Sequence, residues 1–226
     1  PYSLFLVQRP YLDAWNNIFA IFEKQKLPFQ VLHISDEFCT DKIDFYEFAM
    51  CTKVIRNYKR TDVTNDKVIT IPLGYHHKPS EVRSCEKTLR WSFHGTNWFH
   101  REEQLQQFTS YVPFDCKLQQ RWNDPTKTKK EDYLALLGNS MFCPILRGNH
   151  METFRIYEAL EAGTLPVAIE ANEYTAWIDE HLKLSELYCW TDPKTVEQPV
   201  TEELQRAVMA RWAQWKERVK DQCRTF

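Results

Sequence analysis

Four charged side chains crowd one stretch of the chain, residues 139–170 (NSMFCPILRGNHMETFRIYEALEAGTLPVAIE): Arg147, Glu152, Arg155 and Glu158. The stretch reads as a strand, a polar turn, a helix and a second strand, with these four in the turn and the first helical turns. A helix N-terminus offers unpaired backbone N–H groups and a partial positive charge. Arginine adds a planar fork for phosphate oxygens, and a carboxylate can accept from the two hydroxyls of a ribose. The set therefore suits a nucleoside diphosphate. The bland alternative stays open at this point: Arg155 and Glu158, three apart on one helix, also fit a surface ion pair worth about 0.2–0.5 kcal/mol. Arg147 also fits a solvated loop charge, and Glu152 an early-turn carboxylate favoured by the helix dipole.

These residues need a scaffold, and the pattern around them supplies an alternating one. Strand signals fall at residues 3–7, 29–35, 53–58 and 67–74, with a helix at 12–26 carrying Trp15, Ile18, Phe19 and Phe22 at helical spacing. The polar segment at 75–90, broken by Pro79, is the expected linker. A second block follows with strands at 89–95, 115–118, 141–145 and 165–169 and helices at 97–110 and 130–137. The tract RWNDPTKTKKED at 121–132 reads as a loop, and the last 26 residues as an amphipathic helix with Leu204, Val208, Trp212, Trp215 and Val219 on one stripe. Strand, helix, strand in repeated order implies parallel sheets with right-handed crossovers. The expected fold is α/β of the GT-B type: two Rossmann-like halves, residues 1–82 and 83–226, facing a cleft, with the C-terminal helix packing back across them.

Composition narrows the function. A net charge of -2 over 226 residues gives no global attraction for nucleic acid, so an anion site must be local. No run of eighteen apolar residues occurs, so no membrane contact is expected from the chain as given, although it starts at Pro1 and an anchor could have been removed. Seven cysteines without a C-x-x-C pair and no N-x-[ST] acceptor point to a cytoplasmic setting, with a Golgi lumen after removal of an anchor as the alternative. With only 5 glycines and no G-x-G-x-x-G turn, a nicotinamide-dependent oxidoreductase is set aside. His76 and His77 have no third ligand at metal spacing.

The motif resembles that of the exostosin-like glycosyltransferases, whose pattern FC...RG....FR..EAL.AG..PV is met here by Phe142, Cys143, Arg147, Gly148, Phe154, Arg155, Glu158, Ala159, Leu160, Ala162, Gly163, Pro166 and Val167. Within that group it is most similar to the ribitol-phosphate xylosyltransferase branch and to small xylosyltransferase-like enzymes of large algal viruses. RIYEA at 155–159, IPLG at 71–74, and Gly95, Thr96 and Arg101 recur there in similar order. A viral chain of that kind would act in the host cytoplasm.

The resemblance implies transfer of a sugar, xylose first among candidates, from a UDP-sugar donor to a hydroxyl of an oligosaccharide or glycoprotein glycan acceptor. Glu158 would hold the ribose, Arg155 and Arg101 the diphosphate, and Thr153 would add a hydroxyl donor, with Gly95, Thr96, Arg147 and Glu152 completing the donor site. Cations and helix-end amides can stabilise a leaving diphosphate without a metal, and the chain has no D-x-D, so no metal or other cofactor is expected. An inverting reaction needs a base on the acceptor side. The strand end at 35–39 offers Asp36 and Glu37; the related branch places a glutamate and a nearby cysteine there, like Glu37 and Cys39, which favours Glu37 over Asp36. A strand-end Asp-Glu pair is also a common helix cap. The alternative function is a catalytically inactive nucleotide- or carbohydrate-binding module of the same fold.

Overall fold

The structure is a computed structural model that describes residues 3–8, 11–77 and 87–224. Pro79 and the expected boundary at 82/83 lie outside the described residues. The chain forms two compact units, one of Pro1–Leu73 with Arg218–Phe226 and one of Gly74–Glu217. Each is built on a four-stranded parallel sheet flanked by helices, so the fold is α/β and GT-B-like in having two Rossmann-like halves.

In the first unit the strands are β1 (Ser3–Val7), β2 (Phe29–His33), β3 (Cys51–Arg56) and β4 (Val68–Thr70), paired in that order. The helix α1 (Leu12–Gln25) covers the sheet through the expected apolar stripe: Phe19 is fully buried and its ring stacks on Phe29 at 4.7 Å. Phe5 packs edge-on to Phe22 at 5.1 Å. Offset and edge-on aromatic pairs of this kind each add about 0.5–1.5 kcal/mol beyond their buried area. The fourth strand is shorter than the expected 67–74. Ile71 still donates to the Arg56 carbonyl (2.8 Å), but Pro72 has no N–H to continue the ladder.

The second unit contains β5 (Leu89–Thr96), β6 (Phe114–Gln119), β7 (Ser140–Ile145) and β8 (Leu165–Ala168), in the spatial order β6-β5-β7-β8. Its helices are α2 (Arg101–Leu105), α3 (Lys130–Gly138), α4 (Phe154–Glu161), α5 (Glu173–Leu182) and α6 (Glu202–Arg224), whose last turns from Arg218 group with the first unit. The helix expected at 97–110 is cut to its middle, because Phe99 and His100 adopt positive φ (46° and 59°) and hold the chain out of the helix until Arg101. The helix α5 was absent from the sequence reading; its signal is the capping box in which Asn172 and Thr175 bond each other's backbone N–H. The C-terminal stripe packs: Val208, Trp212 and Trp215 are buried, Trp212 lies 5.2 Å from Tyr157, and its Nε1 donates to Glu161 at 2.7 Å. This contact fixes the back of α4, the helix that carries the motif. At its C-terminus Gly163 turns the chain out with φ 65°, a left-handed geometry that suits glycine.

The two sheets differ in strand order. In the first, sequence neighbours are spatial neighbours throughout. In the second, the chain goes from β5 to β6 on one side and returns past β5 to β7 on the other, so the crossovers diverge between β5 and β7. Ligands of open parallel sheets bind beyond the carboxyl ends of the strands at such a switch point.

Candidate active site: an arginine cluster at the strand switch point

The two strands at the switch point part company. β5 pairs with β7 only at Leu89↔Ser140 and Trp91↔Phe142, whereas it stays paired with β6 to Thr96↔Gln119 and β7 stays paired with β8 to Ile145↔Ala168. Beyond Trp91 and Phe142 the sheet therefore opens. Arg155, from the first turn of α4, enters this opening: its Nη2 donates to the His94 carbonyl at 2.6 Å, and its guanidinium lies 4.1 Å from the Phe93 ring centroid and 5.2 Å from that of Tyr133. Gly95 makes room for it, since a Cβ there would come within 3.1 Å of Arg155 Nη2 and 3.2 Å of Phe93.

Arg101 joins the two loops above the opening. Its Nε donates to the Arg147 carbonyl and its Nη1 to the Thr96 carbonyl, both at 3.0 Å, while its guanidinium sits 5.6 Å from the same Phe93 ring. Burial and the Arg155 charge push its pKa down to about 10, so it is still a cation at neutral pH. Arg147 is exposed and lies 5.0 Å from the Phe99 ring. Among the described residues none of Arg101, Arg147 and Arg155 forms an ion pair with a carboxylate. Next to them, the N-cap Thr153 makes no capping bond, and its buried Oγ1 has no partner among the described residues. Three cations and an uncapped helix N-terminus, in a chain of net charge -2, form a local field for an anion.

The other motif residues divide. Glu158 is 5% exposed, and it is not a surface partner of Arg155: its oxygens accept from the His77 N–H (3.1 Å) and from Tyr133 Oη (2.7 Å). Burial pushes the Tyr133 phenol well up, so it remains a donor. Glu152 is buried and accepts from Tyr157 Oη at 2.5 Å, while its own N–H donates to His150 Nδ1 at 2.8 Å. It thus holds the β7–α4 turn together and is turned into the core rather than toward the arginines' ligand side. Thr96 contributes its carbonyl to Arg101. Trp98 stands 47% exposed beside Phe99, and Trp122 is 73% exposed with Lys127 Nζ over its ring at 4.7 Å.

The candidate bases Asp36 and Glu37 sit in the first unit, and their surroundings differ. Asp36, 1% exposed, is bound to Arg56 Nη2 (2.8 Å) and Arg60 Nη1 (2.9 Å) and accepts the N–H groups of Thr40 and Asp41, both at 2.9 Å. Burial alone would raise its pKa, but Arg56, the Asp41 N–H and Arg60 together hold it below the usual carboxylate range. As a proton acceptor it is therefore the wrong choice: all its lone-pair directions are engaged, and its charged form is the stabilised one. Glu37, half-buried beside it, has none of these partners.

The same network contains a group that sequence reasoning missed. His33, at the end of β2, is fully buried with Nε2 3.0 Å from Asp41 and Nδ1 2.7 Å from Tyr46 Oη. The carboxylate selects the Nε2–H tautomer, leaving Nδ1 to accept from the phenol. Burial lowers its pKa below 6.5, with Asp41 opposing and Arg56 adding to the effect. The unfolded chain then binds this proton more readily than the folded one, so stability falls as pH drops below 6.5. A His33→Gln variant should show a flatter fall of Tm between about pH 6.5 and 5. Equal slopes for the two proteins would contradict a neutral buried His33.

No metal-binding cluster of three His, Cys, Asp or Glu occurs among the described residues, and none of their helices is long and apolar enough to cross a membrane. The six described cysteines are free. In comparisons with known proteins, no family profile matches the chain. A 71-residue stretch is 32% identical to Exostosin-1 of Drosophila melanogaster, covering 31% of this chain and 9% of that protein. The similarity is local, and it supports an exostosin-like resemblance over less than a third of the chain.

Proposed function

We propose that the chain is a glycosyltransferase that takes a sugar from a nucleoside-diphosphate donor, UDP-xylose first among candidates, to a glycan hydroxyl, with inversion and without a metal. The observation that carries this reading is the set of arginines at the switch point with no carboxylate partner among the described residues. Arg101 and Arg155 are partly buried and repel each other, Arg155 is offset only by the nearby charge of Glu158, and a diphosphate would relieve that repulsion. The negative charge that grows on the departing diphosphate meets Arg101, Arg147 and the amides of α4, which favour the transition state over the bound donor. Glu158 takes the ribose with its remaining lone pairs, and Arg155 acts from within the opened sheet. The local similarity to Exostosin-1 supports the same class.

The acceptor hydroxyl is assigned to the first unit and its proton to Glu37. Glu37→Gln removes the base and keeps the shape, so turnover should fall about 10²- to 10⁴-fold while UDP binding stays within twofold. A binding module would have no turnover to lose, and unaltered turnover in the variant would remove Glu37 from the mechanism. EDTA should leave UDP release unchanged; inhibition reversed by a divalent ion would overturn metal independence.

A further inference from the structure

Beyond Arg147 the second unit holds a cavity of about 260 Å³ at the carboxyl ends of β7 and β8. Phe99, Ile145, Ala168, Tyr174 and Trp190 line it, and Gln104, Arg147 and Glu170 add polar groups. Other polar groups of the lining are already engaged: Asn172 and Thr175 in their capping box, and Trp190 Nε1 with Asp179 at 3.1 Å. Gln104 Oε1 is buried and accepts nothing among the described residues, and Glu170 is exposed with no bond or ion pair there.

We propose that this cavity receives the monosaccharide of the donor, with Gln104 and Glu170 accepting its hydroxyls as specificity-determining residues. The proposal rests on the nucleotide-sugar reading above. Three features lead to it. A nucleotide sugar is linear, and the side chains form a matching chain of contacts: Glu158 to Tyr133, Tyr133 to Arg155, Arg155 across Phe93 to Arg101, Arg101 to Arg147, and Arg147 to Phe99. Arg147 and Phe99, the last members of that chain, also line the cavity. Its volume is below the roughly 300–1,000 Å³ of sites that enclose a whole drug-sized ligand, which suits one sugar ring and not an entire nucleotide sugar. The two unengaged acceptors match a group whose polar edge consists of hydroxyl donors, and the apolar walls match the C–H faces of the ring.

Calorimetric titration of the full chain and of Gln104→Ala and Glu170→Gln with UDP, UDP-xylose, UDP-glucose, UDP-galactose and UDP-N-acetylglucosamine tests this. Both variants should bind UDP within twofold of the unaltered chain and bind its preferred UDP-sugar about 5- to 10-fold more weakly. Because Glu170 is exposed, its glutamine variant keeps the test readable if Gln104→Ala fails to fold. Equal weakening of UDP and UDP-sugar, or no change in either, overturns the sugar subsite while leaving the donor reading intact. Absence of UDP binding to the unaltered chain overturns the donor reading and the subsite with it.

Discussion

Arg101→Ala should weaken UDP binding about 10- to 150-fold, the equivalent of about 1.5–3 kcal/mol for a lost charge-assisted contact. The effect has two sources. The variant loses a cation whose pKa is depressed to about 10 by burial first and by repulsion from Arg155 second, and a bound diphosphate would relieve that repulsion. It also unties the two loops, since Nε and Nη1 hold the Arg147 and Thr96 carbonyls. Arg101→Lys should recover only a small part, because an ammonium cannot span both carbonyls and a phosphate with one planar fork. Affinity for UDP should fall with added salt in the unaltered chain and less steeply in the variant. Isothermal titration at two ionic strengths measures all three; an alanine variant that binds UDP as before would remove Arg101 from the site.

Asp36→Ala should cost about 3–5 kcal/mol of folding stability, measured by urea unfolding. Arg56 has no exposed surface and Asp36 is its carboxylate partner, so among the described residues the variant leaves a buried guanidinium bonded to the Asn57 and Tyr58 carbonyls and the Tyr46 phenol. Arg60 also loses one of its two carboxylate partners and keeps Asp62. A double variant, Asp36→Leu with Arg56→Met, should recover part of the loss, because removing both charges avoids the unpaired one. A loss below about 1 kcal/mol would mean the network does not hold the strand end that presents Glu37.

Much of this arrangement was legible in residue types. Short apolar runs separated by helical spacing located seven of the eight strands closely, and the motif at 139–170 located the cluster. The failures have physical causes. The helix after β5 was drawn too long because Phe99 and His100 look like ordinary helical residues, and only their left-handed backbone reveals the turn. α5 was overlooked because its apolar positions are interrupted by Glu173, Asp179 and Glu180, while its cap at Asn172 is a single-residue signal. Glu152 looked like a donor-site residue because it neighbours Thr153, yet it points at Tyr157. Only the resemblance favoured Glu37 over Asp36 in the sequence; what separates them physically is the convergence on Asp36 of Arg56, at the end of β3, and Arg60, just beyond it. The parting of β5 and β7, which admits Arg155, is a property of pairing between distant segments and leaves no local trace.

The most direct measurement is a crystal structure of the chain with UDP. The diphosphate is predicted within hydrogen-bonding distance of Arg101, Arg147 and the first turn of α4, above the opening between β5 and β7, with the ribose at Glu158. Diphosphate density elsewhere on the chain, or Arg101 and Arg147 without contact to bound UDP, would contradict the assignment of the switch point as the donor site.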